Sequence, residues 1–301
     1  MPKLINLIKS KCKKYLPDSI YFFIYKVFIH TRYIISNKGP LDFEKLQLAK
    51  FTKSEVATVT VDDISFKIKL DPNNGLVDKE IYSKGSWEPE MLREIRSHLK
   101  ENSVCLDVGS NIGQHTLYMS RAARAGKVYA FEPIPSLSDQ IKESKELNNI
   151  KNIEVCNFGL SNTNESKEIY LNNLNMGNTT FKKRLGASST LMVETRVFDD
   201  FWAMRGQIDF IKIDVEGYEY YALQGMEKSV RLYRPTMIIE FSPIFYNNMN
   251  ISSREFLEYI FGLGYRVYDL DNNKLEITQD TSTAFISNTP SQTNILCLPT
   301  N

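Results

Sequence analysis

The hydrophobic and polar positions between residues 100 and 298 alternate between short apolar runs and longer amphipathic segments. Short apolar runs bounded by turn residues predict buried strands, and apolar residues three or four apart predict helices. Because strands and helices follow one another in turn, we expect an α/β fold with a mostly parallel, seven-stranded sheet and helices on both faces. Strands are predicted at 103–108, 127–131, 153–158, 209–215, 236–241, 265–270 and 294–298, and helices at 88–100, 116–124, 135–149, 219–230 and 252–263.

Two further segments lie outside this alternation. Residues 57–61 and 64–70 flank Asp62-Asp63 and alternate apolar with polar side chains, which predicts a lead-in hairpin. Between about 161 and 197 the chain is rich in Asn, Ser and Thr, with two short strand-like pieces, and we interpret it as an inserted hairpin or lid.

The first 50 residues form a third type of segment, a basic and aromatic-rich helical arm followed by the main domain, 51–301. They carry ten Lys and Arg against three acids, a net charge of +7, whereas the whole chain has +1. Lysines mixed with large aromatic residues are typical of segments that lie on an anionic membrane surface, so residues 1–40 are expected to favour lipid over nucleic acid. The alternative is that the arm packs on the main domain or on a second copy in a homo-oligomer.

Cysteine content and hydropathy indicate a cytoplasmic protein, peripheral at the membrane if the arm binds lipid. The four cysteines show no close pairing, which favours reduced thiols. The apolar stretch at 20–29 has ten residues, whereas a membrane-spanning helix needs about twenty. No set of His and Cys has the spacing of metal ligands, so no metal is expected.

The chemistry centres on residues 103–113, where an apolar run ends in Asp107-Val108-Gly109-Ser110-Asn111-Ile112-Gly113. A strand, a glycine turn and a helix start in that order predict a nucleotide-like cofactor site. A dinucleotide site would need a second glycine where Asn111 stands, so NAD is disfavoured although Glu132 has a suitable spacing. An acid before the turn suits a cofactor that carries an ammonium and a sulfonium.

Four motifs in order resemble the FkbM-type methyltransferases: the glycine turn, Phe131-Glu132-Pro133, residues 157–161 (Asn-Phe-Gly-Leu-Ser) and residues 208–217, which contain Lys-Ile-Asp-Val-Glu-Gly. The last string is the most specific. The resemblance covers roughly residues 80–245. It implies a Rossmann-like class I methyltransferase fold over the main domain and S-adenosylmethionine as cofactor.

The resemblance also implies which residues bind this cofactor. Asp107, Gly109, Ser110, Asn111 and Gly113 are expected around its methionine portion, Glu132 with its neighbour Pro133 at the ribose hydroxyls, and Asn157 and Phe158 along the adenine. His115 falls in the first helical turn after Gly113, which predicts a place near the sulfonium or the acceptor. Glu88, next to Trp87, is a further candidate to approach the cofactor.

The predicted strand at 209–215 carries charges that a central strand normally lacks. A lysine there is unfavourable unless it is paired, and strand alternation places Lys212, Asp214 and Glu216 on one side. One interpretation is a buried Lys212–Asp214 pair that fixes the loop. The other is that Asp214 or Glu216 accepts a proton from an acceptor hydroxyl while Lys212 positions it, with Glu240 as a second candidate base.

We therefore expect an S-adenosylmethionine-dependent O-methyltransferase that acts on a sugar hydroxyl of a glycan or glycolipid precursor. The acceptor rests on family analogy alone. A natural-product or protein hydroxyl stays open as acceptor, and so does a non-catalytic scaffold of the same fold in a glycan-assembly complex.

Overall fold

The computed structural model describes residues 51, 53–171, 189–203, 205–249, 251–289 and 291–300, called the described residues below. Phe51–Asn301 form one compact unit. The predicted arm, and the tip of the predicted insertion at 172–188, lie outside the described residues. Their assignments stay predictions.

An eight-stranded sheet forms the centre of this unit, in the order β12-β11-β13-β10-β9-β3-β4-β5. Strands β5, β4, β3, β9 and β10 are mutually parallel, and β13 runs antiparallel to both β10 and β11. Its strands are β3 (Val104–Val108), β4 (Lys127–Phe131), β5 (Ile153–Cys156), β9 (Phe210–Ile213), β10 (Thr236–Phe241), β11 (Tyr265–Asp269), β12 (Leu275–Ile277) and β13 (Thr293–Pro299).

Helices connect the parallel strands and cover both faces of the sheet. The described helices are α1 (Leu76–Lys84), α2 (Pro89–Ser97), α3 (Gln114–Ala122), α4 (Pro135–Leu147), α5 (Phe198–Trp202), α6 (Glu219–Gly225), α7 (Glu227–Tyr233), α8 (Pro243–Asn248), α9 (Ser253–Gly262) and α10 (Ser282–Asn288). Apolar residues of α2, α3 and α4 pack with one face, and those of α5, α6 and α9 pack with the other. This confirms the predicted Rossmann-like class I fold.

Side-chain alternation along the central strands explains the two cores. Cys105, Phe210 and Ile238 belong to the apolar cluster on one face, whereas Leu106 and Ile211 belong to the cluster on the other. Since both faces are covered, the central strands are almost wholly apolar. The buried charges of Asp107 on β3 and Lys212 on β9 are the exceptions.

Two small sheets accompany the large one. The lead-in hairpin consists of β1 (Glu55–Val61) and β2 (Ile64–Leu70), paired antiparallel. In the predicted insertion, β7 (Glu165–Leu171) and β8 (Ser189–Arg196) form an antiparallel hairpin, and β6 (Gly159–Leu160) adds to β8 in parallel.

The strand order indicates which edge of the sheet binds a ligand. After β3 the chain adds β4 and β5 on one side, then returns to add β9 and β10 on the other. The strand order therefore reverses at β3. In an open parallel sheet, ligands bind outside the carboxyl ends of the strands at such a reversal.

Several elements differ from the sequence predictions. The sheet has an eighth strand, the short β12, within a polar segment expected to be a connection. The single helix predicted at 219–230 is two helices, α6 and α7, separated by Met226. Gly225, at the end of α6, lies against the backbone of Ser161, where a Cβ would come within 2.0 Å of the Ser161 carbonyl oxygen. The predicted strand at 209–215 ends at Ile213, and Glu216 has a left-handed backbone with φ of 54°.

Candidate active site

The glycine turn follows β3 and closes against two neighbouring strands. Gly109 has φ of +82°, and a Cβ at this position would lie 1.9 Å from the Asp214 carbonyl oxygen. The N–H groups of Gly109 and Ser110 donate to the Phe131 carbonyl oxygen at 3.0 and 3.1 Å. Because only glycine combines this φ with such a close approach, residue 109 fixes the distance between β3 and the loop after β9.

A cavity of about 300 Å³ opens at the carboxyl ends of β3, β4, β9 and β10. This volume is at the lower end of the range for small-molecule sites. Its lining includes two groups of residues. The part near β3 and β4, called the turn side, contains Gly109, Ser110, Asn111, Ile112, Glu132, Pro133, Ile134, Leu137, Gly159 and Leu160; the part near β9, β10 and β13, called the strand side, contains Lys212, Asp214, Val215, Glu216, Glu240, Gln292 and Asn294.

Glu132 stands at the end of β4 on the turn side. Its carboxylate accepts hydrogen bonds from the Asn111 N–H at 2.8 Å and from the Ile134 N–H at 2.9 Å, one on each oxygen. Burial raises the pKa of Glu132 to about 8, against the stabilising effect of these two donors. Each carboxylate oxygen keeps acceptor capacity for one more donor, as two ribose hydroxyls would require.

Asp107 lies beneath the turn and does not line the cavity. Its Oδ2 accepts from the Thr116 hydroxyl, whereas its Oδ1 is buried with no hydrogen-bond partner among the described residues. Burial raises the pKa of Asp107, and the nearby Lys212 ammonium opposes this effect. This carboxyl is fully buried below the cavity surface, and the predicted place of Asp107 beside the methionine portion of the cofactor stays a prediction.

The other predicted cofactor residues divide between the cavity and its surroundings. Ser110 and Asn111 line the cavity, whereas Gly113 shapes the start of α3 against Ile141. His115 lines it as well, and its Nε2 is buried without a hydrogen-bond partner in the described part of the chain. Burial, with a smaller effect of Lys212, holds the pKa of His115 well below 6.5, so this imidazole is neutral.

Asn157 and Phe158 are not among the residues that line the cavity, and their predicted place along the adenine stays a prediction. Asn157 is exposed and donates to the Glu132 carbonyl oxygen at 2.8 Å. Phe158 packs edge-on against Phe131 in a buried aromatic cluster, with ring centroids 5.6 Å apart. Gly159 and Leu160, the next two residues, line the cavity instead, because the chain turns into β6 after Cys156.

Lys212 and Asp214 form a close ion pair at the centre of the site. The ammonium donates to Asp214 Oδ2 at 2.8 Å, and the Lys212 side chain is only 4% exposed. Burial alone would lower the pKa of Lys212, but Asp214 and Asp107 outweigh it and raise the pKa, so the lysine stays charged. Asp214 Oδ1 makes no hydrogen bond among the described residues.

The other two candidate bases, Glu216 and Glu240, line the strand side and differ in environment. Glu216 is half-buried in the loop after β9. Glu240 is buried and accepts from the Ser242 hydroxyl at 3.1 Å and from the Gln292 amide at 2.9 Å. Burial, then repulsion by Asp214 and Glu216, raises the pKa of Glu240 well above 4.5, which favours the neutral acid and weakens its case as the base.

Sequence reasoning missed several residues that shape this site. Glu219 Oε1 accepts from the N–H groups of Val215 and Gly217 at 3.1 and 3.0 Å and so holds the loop that carries Glu216. An acid in the first turn of a helix was the available signal. Asn294 lies on β13 and Gln292 directly before it, and no local pattern places that strand beside β10.

Neither a metal site nor a membrane span is apparent in the described ranges. No group of three or more His, Cys, Asp and Glu side chains there is arranged to hold a metal ion. No helix in the same ranges combines the length and the apolar character needed to cross a bilayer.

Comparison with known families finds a match that includes the glycine turn and the charged strand β9. A family model described as the Methyltransferase FkbM domain matches residues 107–267, which is more than half of the chain. The chain belongs to the FkbM methyltransferase family. The match begins at Asp107 and includes Glu132, the Lys212–Asp214 pair and Glu240, whereas Gln292 and Asn294 of the strand side lie outside it.

Curated relatives of this FkbM domain are distant. Methyltransferase 1 of Beauveria bassiana is 25% identical over 148 residues, which are 42% of this chain and 59% of the relative. The hexuronic acid methyltransferase AglP of Haloferax volcanii is 28% identical over 147 residues, 48% of this chain and 58% of the relative. The chain thus spans about three fifths of these relatives. A solved FkbM methyltransferase from Methylobacillus flagellatus superposes with a TM-score of 0.41 and 16% identity, over 73% of this chain and 52% of that one.

Proposed function

We propose that this FkbM family protein is an S-adenosylmethionine-dependent O-methyltransferase whose acceptor is a sugar hydroxyl of a glycan or glycolipid precursor. The observation that carries the proposal is the position of Glu132. This buried carboxylate follows β4, is held by the N–H groups of Asn111 and Ile134, and keeps acceptor capacity that two neighbouring ribose hydroxyls could use.

The residues present fit this methyl donor. Asn111 and Glu132 supply polar partners on the turn side, while Ile112, Ile134 and Leu160 supply apolar surface for a flat base. The orphaned Nε2 of His115 leaves a buried polar atom on this cavity without a protein partner. The donor set contains no run of N–H groups around a second glycine, as a pyrophosphate would require.

When bound, S-adenosylmethionine supplies a methyl group on a positively charged sulfur. The chain's own part is first to hold the reacting groups in line, which contributes about 7–11 kcal/mol to lowering a barrier of this kind. Glu132 and the glycine turn bind the donor, and the strand side orients the acceptor. The rigid contact between Gly109 and residue 214 keeps the two sides at a fixed separation.

Proton removal from the acceptor is assigned to the carboxylates of the strand side. Asp214 binds Lys212 through Oδ2, so Oδ1 is the atom available to receive the hydroxyl proton. Lys212 holds the Asp214 carboxylate in position through its contact at 2.8 Å. Glu216 is the second candidate base. A positioned base of this kind contributes about 10²–10⁴ in rate.

A sugar acceptor is supported by the relative AglP, whose name states that it methylates hexuronic acid. The basic arm, with its net charge of +7 over residues 1–50, supports a lipid-carried acceptor at an anionic, cytoplasmic membrane face. Together these features favour a glycolipid precursor over a freely diffusing small molecule.

Two measurements test the proposal. Calorimetry with S-adenosylmethionine, S-adenosylhomocysteine and NAD should give binding of the first two only; binding of NAD alone would overturn the donor assignment. A screen with methyl-labelled donor against sugar nucleotides and lipid-linked sugars should label at least one of them. Label transferred only to a protein or natural-product hydroxyl would refute the acceptor class, and donor binding without any transfer would favour a scaffold.

A further inference from the structure

Glu88 has an unusual backbone at the edge of the cavity. It precedes Pro89 and adopts a left-handed conformation with φ of 42° and ψ of 58°. This conformation is unfavourable for a residue with a Cβ, and helical geometry is further disfavoured directly before proline. Strain of this kind, about 1–3 kcal/mol, persists only where surrounding structure enforces it, and it is concentrated at functional sites.

A pair of hydrogen bonds from the helix after the glycine turn enforces this geometry. The Gln114 side chain accepts from the Trp87 N–H at 2.8 Å and donates to the Trp87 carbonyl oxygen at 2.8 Å. Gln114 is the first residue of α3 and is buried. Glu88 is thereby held next to the start of α3, directly after the turn that the family resemblance assigns to the methionine portion of the donor.

The Glu88 side chain is free to bind a ligand. It lines the cavity and, although Glu88 occupies the residue position before α2, it makes no capping hydrogen bond to that helix. No hydrogen bond or ion pair to its carboxylate occurs within the described residues. Glu88 is exposed to solvent. A strained and clamped residue thus presents an open anionic group to the cavity.

The other acidic groups near the cavity are already engaged. Asp214 binds the Lys212 ammonium, and Glu132 binds two backbone N–H groups. Asp107 is buried beside Lys212, which already supplies a positive charge there. Glu240 accepts two hydrogen bonds in the β10 and β13 region. Glu88 is the acid near the start of α3 whose two oxygens are both open.

We infer that the Glu88 carboxylate binds the ammonium group at the amino-acid end of the methyl donor. The inference rests on the proposed function, because it requires a donor with that group. A carboxylate and an ammonium form a charge-assisted hydrogen bond, which is stronger than a neutral one. Glu88 is a binding residue in this assignment and takes no part in proton transfer from the acceptor.

The electrostatic surroundings make this contact dependent on pH. Removal of water raises the pKa of Glu88 to about 7; Lys212 lowers it, and Asp214, Asp271 and Glu80 raise it further. The free protein therefore carries a mixture of both forms near pH 7, whereas a bound ammonium favours the carboxylate. Binding of the donor's amino-acid end should release protons, and its affinity should increase between about pH 6 and 7.5.

Calorimetry with two probes isolates this contact without an acceptor. S-adenosylhomocysteine carries the amino-acid end, and 5′-methylthioadenosine has the adenosine and sulfur without it. Glu88→Gln should raise the dissociation constant for S-adenosylhomocysteine about tenfold or more and leave that for 5′-methylthioadenosine within about twofold. Glu88→Asp, which keeps the charge, should give an intermediate loss. Glu90→Gln, an exposed acid two residues away, is the matched control and should change neither constant.

The ratio of the dissociation constant for S-adenosylhomocysteine to that for 5′-methylthioadenosine supplies a second readout. This ratio should change with pH in the wild type and stay constant in Glu88→Gln. Titration of Glu132 does not change the ratio, because it affects the binding of both probes alike. An equal loss for both probes would show a structural role and overturn the inference, as would an unchanged S-adenosylhomocysteine constant. Failure of the wild type to bind S-adenosylhomocysteine would instead refute the proposed function itself.

Discussion

Lys212 and Asp107 are direct neighbours in the parallel register of β9 and β3, and both are buried in the centre of the sheet. The same lysine donates to Asp214 at 2.8 Å, at the point where β9 ends. One ammonium therefore balances a carboxylate below the glycine turn and another at the cavity. Through Lys212, the charge of Asp107 beneath the glycine turn is linked to the charge of Asp214 on the strand side.

Replacing Lys212 by methionine tests this link. The change leaves Asp107 buried without a positive neighbour, and loss of one partner of a buried pair typically costs about 3–5 kcal/mol. We expect a loss of this size in the free energy of unfolding, measured with denaturant. Lys127→Met is the control: Lys127 is about two fifths exposed, so its ion pair with Glu154 contributes less than about 1 kcal/mol.

The pH dependence of this loss has a definite sign. Burial raises the pKa of folded Asp107 above its unfolded value of 3.8, and removal of Lys212 raises it further. A group with a raised folded pKa favours the folded state below the unfolded pKa, and this contribution is lost as pH rises. The destabilisation in Lys212→Met should therefore grow as pH rises through the raised pKa of Asp107 in the folded wild type. A loss that does not vary with pH would argue against the Asp107 link.

The strands and the turn could be predicted because their signals are local. The bounds of β4 and β10 equal the predicted ones, since each is a short, largely apolar run between polar or turn residues. The close approach of Gly225 to Ser161 could not be predicted, because it joins residues more than sixty positions apart in the chain. Helix α1 was missed because its N-cap residue, Gly75, has no side chain to give a capping signal.

The residues of the candidate site could likewise be predicted where they belong to local motifs, and not where long-range contacts bring them together. Glu132, Asn111 and the Lys212–Asp214 pair belong to motifs whose spacing can be seen in the sequence. Gln292 reaches Glu240 only because β13 inserts antiparallel between β10 and β11. The displacement of Asn157 and Phe158 from the cavity depends on where β5 ends, and strand ends are set by tertiary contacts.

Glu132→Gln should weaken binding of any ligand that contains the donor's ribose. A glutamine cannot accept from both backbone N–H groups and two hydroxyls, so we expect at least a tenfold rise in the dissociation constant for 5′-methylthioadenosine, measured by calorimetry. Because the pKa of Glu132 is raised to about 8, wild-type affinity should increase from pH 7 to 9 and that of the variant should not. Glu154→Gln on the neighbouring strand β5 is the control, and an equal effect there would exclude a ribose role for Glu132.

Asp214→Asn should remove turnover without removing donor binding. The variant loses the proton acceptor at Oδ1, so methyl transfer to the acceptor found in the screen should fall by about 10²–10⁴. The dissociation constant for S-adenosylmethionine should change less than about threefold. Asp209→Asn is a matched control at the opposite end of the same strand, where Asp209 accepts from the Val104 N–H. If Asp214→Asn keeps most of its turnover, the base is another group, and Glu216→Gln is the next variant to measure.

Removal of residues 1–40 tests the membrane prediction for the arm. Residues 1–40 hold eight of the ten Lys and Arg residues of the arm. Each basic residue near an anionic surface contributes about 1 kcal/mol to binding. The truncated chain should sediment less with vesicles that contain anionic lipid, and both forms should behave alike with neutral vesicles. Equal sedimentation with anionic vesicles would favour the alternative, in which the arm packs on protein. Analytical ultracentrifugation of both forms would then test for a homo-oligomer.

Gly109→Ala tests the close contact between the glycine turn and the loop after β9. A matched control is Gly85→Ala, because Gly85 has φ of +87°, close to the +82° of Gly109, but no atom lies within 4 Å of its added Cβ. The control should cost only the left-handed backbone penalty of about 1–2 kcal/mol. Gly109→Ala adds an overlap with the Asp214 carbonyl oxygen, and overpacking of this kind costs about 1–3 kcal/mol more.

The same substitution should also affect ligand binding, since residue 214 must move away from the turn. We expect Gly109→Ala to lower the free energy of unfolding more than Gly85→Ala does and to weaken S-adenosylhomocysteine binding at least tenfold, whereas Gly85→Ala should bind it normally. Denaturant unfolding and calorimetry measure the two effects. If both alanine variants lose the same stability and keep the same affinity, the separation between β3 and the loop after β9 is not fixed by Gly109.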